Sequence, residues 1–368
     1  MKLQTYTRRV LAACIFSIGL SAPSFADENA RDQLADAFEA EVADGFTGYV
    51  IVLRDGEVVY ENGAGVAREE AGADHQFGLA FSRDTQFDIV SITKTVTGAL
   101  AAEQIAAGNI DPHAPLETYL DVAGSPIAQL TTHQLLTHSA GLVDILGEDH
   151  EVVSLDEIIE RAANTDLLLE PGSRYRYSNL GYTLVAAVLE QVTGVSYETL
   201  VMQTLSASGA TSTGYAQAYD PDRTVLSEED EGVIDLAWGG HAPGGNLIGN
   251  GGLVSTAGDM AAWLSAYSRG ALVSQRAREL AQTPHIDETG EGYSYHGYGM
   301  VVEQDDRLGS IYWHNGGSRH FNAHWREIPE HDVLIIALAN QRPAPADAMV
   351  MALQRALFPV PKAGAIAD

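Results

Sequence analysis

The strand signals sit at the two ends of the chain, and this distribution constrains the fold more than any other feature. Tyr49-Val50-Ile51-Val52-Leu53 and Glu57-Val58-Val59-Tyr60 are joined by Arg54-Asp55-Gly56. Asp-Gly between two β-branched runs is a hairpin signal. The next strand series comes only at 298–302, 310–314, 320–326 and 333–338. Between the two lie helical periods at 131–138, 154–163, 178–193, 196–207, 257–269 and 274–282. An amphipathic helix over 29–43 precedes the hairpin, with Leu34, Phe38 and Val42 on one stripe, and another over 344–357 closes the chain. The expected class is α+β: an antiparallel sheet built from both chain ends, flanked by helices, with an inserted helical lobe. The α/β lobe should take 27–105 plus 250–368, and the mostly helical lobe 106–249. Residues 219–250, acidic and then Gly-rich, read as a long loop.

The first 26 residues have the form of a secretory signal. Lys2, Arg8 and Arg9 make a basic start, Val10 to Leu20 an apolar centre, and Ser24-Phe25-Ala26 a cleavage site ahead of Asp27. The apolar run is too short to span a bilayer, so cleavage should leave no integral membrane segment and a periplasmic or secreted protein. Thr7-Arg8-Arg9-Val10-Leu11 is a weak twin-arginine pattern, and the sequence does not decide between export routes. Cys14, the only cysteine, leaves with this leader, so the mature chain has neither disulfide nor thiol chemistry. The leader holds three basic and no acidic residues, and its loss takes the formal charge from −29 to −32. Such a charge opposes nucleic acid and anionic membranes as partners.

Phe87-Asp88-Ile89-Val90-Ser91-Ile92-Thr93-Lys94 reads as an extended run entering a helix near Ser91, which continues through Val96, Leu100 and Ile105 and stops at Gly108-Asn109. Positions three apart share a helix face, so Lys94 lies beside Ser91. A serine hydroxyl becomes a nucleophile when a base takes its proton, and a lysine can be that base where burial lowers its pKa. The chain has three lysines, and the other two are Lys2 in the leader and Lys362 in the tail. Taken alone, the stretch fits an ordinary amphipathic helix with a solvated lysine equally well.

Two more elements carry polar groups at structural junctions. Pro171 to Asn179 ends a loop at a helix start, and Tyr177-x-Asn179 offers a phenol and an amide. The phenol can relay protons if a cation lowers its pKa, and the amide can orient a lysine. Trp313-His314-Asn315-Gly316-Gly317 ends a strand, where glycines let a substrate approach the edge. The N–H groups of Ser91 and Gly317 are candidate oxyanion donors.

In this order the three elements resemble the serine β-lactamase and penicillin-binding-protein superfamily. The resemblance is closest to its class C-like branch, with esterases, D-aminopeptidases and related hydrolases. Leu135 to Leu142 (LLTHSAGL), Pro171-Gly172, Tyr177 to Tyr182 (YSNLGY) and Gly251 to Thr256 (GGLVST) extend it over nearly all of 30–358. The resemblance implies that Ser91 is the acyl-enzyme nucleophile, that Lys94 and Tyr177 share the base and acid work, and that Asn179 orients Lys94 and the substrate. It implies a small-molecule or peptide acyl substrate and no cofactor or metal. His314-Asn315-Gly316 stands where the family often has Lys-Thr-Gly, and with Arg319 it forms the expected substrate-binding segment. A neutral His314 attracts a carboxylate less than a lysine does, and acidification toward pH ~6 should charge it.

Rival readings are weaker. Thr137-His138-Ser139-Ala140-Gly141 lacks the first glycine of a Gly-x-Ser-x-Gly elbow, and no parallel βαβ series supports it. His314, His320 and His324 read as structural or site-lining because no acidic ligand stands near them in sequence. A binding protein that no longer acylates is the non-enzymatic alternative, and the intact Ser91, Lys94, Tyr177 and Asn179 set opposes it. Ester, D-peptide and β-lactam substrates remain open on sequence.

Overall fold

The structure is a computed structural model, and it describes residues 25–68, 79–220, 222–225, 244–341, 343 and 345–360. The expected leader up to Ser24 and most of the 219–250 loop lie outside the described residues.

Eight strands form one antiparallel sheet. In spatial order they are Glu57–Ala64, Gly48–Arg54, Val333–Ala339, Asn322–Ile328, Gly309–Gly317, Val301–Asp305, Ser294–His296 and Ile286–Asp287. The hairpin forms at Asp55-Gly56, both with positive φ (53° and 78°), as a two-residue turn that suits the strand twist requires. Its inner strand pairs with the last one in the chain, from Gly48↔Ala339 to Arg54↔Val333. The sheet therefore joins the two ends, as the strand distribution predicts.

Alternation along the central strands feeds two cores. Val50, Val52, Ile335 and Ala337 face Leu34 and Phe38 of the helix Phe25–Ala43, and Met349, Val350 and Leu353 of the helix Pro345–Leu357. Ile51, Leu53, Leu334, Ile336 and Leu338 belong to the larger core on the other face, with Met260 and Leu264 of the helix Ala257–Ser268. That core runs on into the helices Thr93–Ala106 and Asn179–Thr193. Every residue of Val333–Ala339 is buried, as expected of a strand covered on both faces. Among the described residues no single helix is long and apolar enough to cross a membrane.

Some short elements escape the sequence reading. Val254–Thr256 pairs with the expected extended run at Gln86–Asp88, and Ser294–His296 and Ile286–Asp287 extend the sheet edge. Two or three residues give too little alternation to register as strands. The expected strand over 298–302 begins only at Val301, because Gly299 turns the chain at φ 79°.

Gly48 is the tightest point where the ends join. A Cβ there would lie 2.0 Å from the Leu338 carbonyl oxygen, and the residue sits at φ 153°. Gly48→Ala should cost about 2 kcal/mol or more, read as a lower urea midpoint at unchanged slope. An unchanged midpoint would mean that the two ends do not close at this register.

Candidate active site

Ser91 is held by a turn rather than by the helix itself. The strand Gln86–Asp88 ends, a 3₁₀ turn runs Val90–Ile92, and the α-helix starts only at Thr93. Asp88 accepts the Val90 N–H at 2.8 Å, and the Ile89 N–H donates to Leu253 O at 3.0 Å. Val90 sits at φ 48°, a conformation that costs a β-branched residue about 1–3 kcal/mol. The strain persists because the N–H groups of Val90 and Ile89 are both tied down.

Lys94 is fully buried one turn on. Its Nζ lies 2.6 Å from Asn179 Oδ1, 2.7 Å from Asn250 O and 3.1 Å from Ser91 Oγ. Burial brings its pKa down to about 7, against the opposing fields of Asp144 and Asp149. A neutral amine has two hydrogens and one lone pair. The two carbonyl oxygens can only accept, so they take both hydrogens and leave the lone pair to the Ser91 hydroxyl.

Tyr177 OH donates to Ser91 Oγ at 3.0 Å. Burial pushes its pKa up, and the bond to Ser91 offsets only part of this. The sequence expectation of a cation-lowered phenol is therefore corrected. Nζ lies 4.9 Å from the Tyr177 ring centre, but the cation that would stabilise a phenolate is only about half charged at pH ~7 and is lost above it. Tyr177 serves as a neutral donor.

Residues outside the predicted set hold these groups in place. Asp144 Oδ1 accepts from the Asn179 backbone N–H at 3.0 Å and from its Nδ2 at 3.1 Å. Asn250 presents its carbonyl because its side chain is tied to Thr183 and to Asn246 O, both at 2.7 Å. His138, buried and at φ 55°, accepts the Ser178 N–H on Nδ1 at 3.1 Å and stacks on Tyr177 at 4.4 Å. The signal for all three was proximity. Asp144 and Asn250 flank the LLTHSAGL and GGLVST stretches, and His138 lies inside the first.

The strand Gly309–Gly317 runs past the Ser91 turn. A Cβ on Gly316 would lie 2.4 Å from Ile89 O and 3.0 Å from Ser91 N, so only glycine admits this approach. Gly317 ends the strand opposite Asn322. Strand alternation places His314 on the same face as Gly316 and Asn315 on the other. Asn315 donates to both carboxylate oxygens of Asp347, at 3.1 and 3.3 Å. Its side chain is thus engaged with Asp347, on the face opposite His314 and Gly316. Arg319 is exposed, beyond the end of the strand.

His314 is buried, and its pKa is held well below the usual value by desolvation first and then by the charges of Lys94 and His296. Acidification to pH ~6 therefore leaves it neutral, which corrects the sequence expectation. Its Nδ1 lies 2.6 Å from Asn315 O, so that nitrogen carries the proton and Nε2 offers a lone pair. His324 has an acidic partner after all, Asp347 Oδ1 at 2.5 Å. Among the described residues no cluster of three His, Cys, Asp or Glu side chains is arranged to hold a metal ion.

An antiparallel sheet with flanking helices, and a serine, a buried lysine and a tyrosine in mutual contact, define a penicillin-binding-protein-like hydrolase scaffold. The chain belongs to the Beta-lactamase family, which it matches over residues 34–358. It is 24% identical over 350 residues to penicillin-binding protein 4* of Bacillus subtilis strain 168, covering 85% of this chain and 72% of that one. To esterase EstB of Burkholderia gladioli it is 30% identical over 204 residues, 49% of each chain. The crystal structure of a penicillin-binding protein from Bacillus halodurans superposes with a TM-score of 0.73 at 25% identity, covering 88% of this chain and 100% of that one. The protein is a serine hydrolase of this superfamily, and the resemblance read from its motifs holds.

Gly316→Ala should push the Ser91 turn aside and slow covalent labelling by a fluorophosphonate at least about tenfold, since a 1 Å displacement of a reacting group costs about a hundredfold. A wild-type labelling rate would show that the strand does not brace Ser91.

Proposed function

We propose that the protein is an exported serine hydrolase that cleaves esters or amides through an acyl-enzyme on Ser91. The observation that carries this reading is the partner set of Lys94, with two fixed acceptors for its hydrogens and a lone pair aimed at Ser91 Oγ. Lys94 takes the Ser91 proton as Oγ attacks the acyl carbon. The N–H groups of Ser91 and Gly317 receive the oxyanion. As the tetrahedral adduct collapses, Tyr177 gives its proton to the leaving oxygen or nitrogen and regains one from Lys94. Its raised pKa means that no phenolate accumulates, so the two transfers are concerted. Water, deprotonated by the same amine, then releases the acid and frees Ser91. In this reading the mature chain, 27–368, is one domain, with the α/β lobe (27–105 plus 250–368) and the helical lobe (106–249) meeting at Ser91. It acts in the periplasm or outside the cell, and the leader carries it there.

Ser91→Ala should abolish fluorophosphonate labelling, and Lys94→Ala should leave less than about one hundredth of the rate, the usual share of a general base. In the wild type kcat/KM should fall tenfold per unit below pH ~7, as Lys94 gains a proton and ceases to be a base. Retention of more than a tenth of the rate in Lys94→Ala, or a flat pH profile from 8 to 5.5, would remove Lys94 from the role.

The substrate class follows from His314. At the position where the family often has a permanent cation this chain has a buried, neutral ring with a lone pair. Neutral esters and amides should therefore be preferred to carboxylate-bearing β-lactams. A charge-assisted bond is roughly twice as strong as a neutral one, so the loss is about several-fold in rate. The alternatives are a class C-like β-lactamase and a D-amino-acid peptidase, and Arg319 is the nearest candidate cation in sequence. The ratio of kcat/KM for benzylpenicillin to that for a short-chain p-nitrophenyl ester should lie well below one at pH 7.5 and should not rise at pH 6. A ratio above one would return the chain to the β-lactamases.

A further inference from the structure

Asp144 lies on the loop that follows Gly141-Leu142, and that loop is tied to the start of the helix Asn179–Thr193. Ser178 Oγ donates to Val143 O at 2.7 Å, and the Leu180 N–H donates to Asp144 O at 2.8 Å. The Asp144 side chain then takes both the backbone and the side-chain N–H of Asn179 on one oxygen. A carboxylate oxygen can only accept. The Asn179 NH₂ must therefore face Asp144, and its carbonyl oxygen must face Lys94. In the opposite orientation the NH₂ would face Lys94, compete for its lone pair and repel its ammonium form.

We propose that Asp144 is a positioning residue that locks the Asn179 amide so that the Lys94 lone pair is left to Ser91. This rests on the reading of Lys94 as the base. The same carboxylate also acts on Lys94 through its charge. Asp144 is the largest influence holding the lysine's proton on against burial, and Asp149 is the next. The other groups facing Lys94 are the phenols of Tyr177 and Tyr182, and the rings of His138 and His314, both held neutral by burial. None of these supplies a negative charge. Asp144 has an exposed side, so water screens its field and the effect on Lys94 is modest.

Charge and orientation separate by substitution. Asp144→Asn removes the charge and keeps a carbonyl acceptor for Asn179. The acid limb of its kcat/KM profile should move to lower pH by about half a unit, since a lost negative charge makes the amine easier to deprotonate. Asp144→Ala removes the acceptor as well, and its plateau rate should fall by about tenfold or more. Asp149→Asn should shift the limb in the same direction and leave the plateau within about twofold, because Asp149 makes no bond to Asn179. In an Asn179→Ala background Asp144→Ala should cost much less than in the wild type, since its orienting effect runs through Asn179. Far-UV dichroism and unfolding midpoints establish that each variant is folded.

A plateau rate kept within about twofold of wild type in Asp144→Ala, or additive losses in the Asp144→Ala/Asn179→Ala pair, would overturn the proposal. Failure of the underlying reading looks different. Either Ser91→Ala would still label, or the wild type would show no acid limb near pH 7.

Discussion

A lysine fully buried among carbonyl oxygens is the constraint on which the rest of this structure depends. Its pKa falls from 10.5 to about 7, which corresponds to about 5 kcal/mol that the fold must supply to keep the side chain where it is. That cost is complete below pH ~7, where the buried group must carry its charge. It shrinks as pH rises from about 7 toward the unfolded value, because over that range the unfolded chain binds a proton that the folded chain does not. Stability from this group therefore grows with alkalinity. The contacts that make the site tolerable come from three remote parts of the chain, at 91, 179 and 250, so the site exists only when the whole domain has folded.

This explains why the backbone comes so close around the lysine. A Cβ on Gly316 would meet the Ser91 turn. One on Gly299 would come within 2.1 Å of Lys94 O, and one on Gly98 within 2.2 Å of Tyr298 O. The sheet and the Lys94 helix are pressed together until only glycine fits between them. This packing buries the side chains, and burial depresses the lysine and His314 and raises Tyr177. One physical cause, desolvation, assigns three protonation states and makes the amine the natural acceptor of a proton near neutral pH.

The sequence carried those parts of this arrangement that depend on long or repeated signals. The two-ended sheet was legible because 48–54 and 333–339 are near-continuous apolar runs of strand length, seven residues each. Helix 179–193 was legible from its apolar stripe. The serine, lysine and tyrosine were legible because three short motifs occur in a known order. What stayed hidden was side-chain direction and environment. Asn315 looked like a site residue, yet alternation turns it to Asp347. His314 looked titratable, but it is buried and lies in the fields of Lys94 and His296, which no local pattern ties to it. Asp144 and Asn250 have no motif of their own, since one acts through an acceptor oxygen and the other through a backbone carbonyl. Their roles come from tertiary placement, and an orienting hydrogen bond leaves no periodicity to read.

The protonation pattern also bears on how the proposed reaction would gain rate. Near pH 8 the three groups around Ser91, an amine, a phenol and an imidazole, are all neutral, although the chain as a whole is strongly acidic. Transfer of the serine proton to Lys94 as Oγ attacks would create two opposite charges where there were none, an ammonium and an oxyanion. In a site whose lysine is buried from bulk solvent their attraction is stronger than in solution. The ammonium is met by Asn179 Oδ1 and Asn250 O, which are already in place and need not reorganise. In the proposed reaction the oxyanion would be met by backbone N–H groups. A fixed cation at position 314 would stabilise an anionic substrate before and during the reaction alike. Such uniform binding would leave the chemical step no faster. A neutral His314 keeps the ground state uncharged and leaves the new ion pair as the main electrostatic difference between ground and transition state.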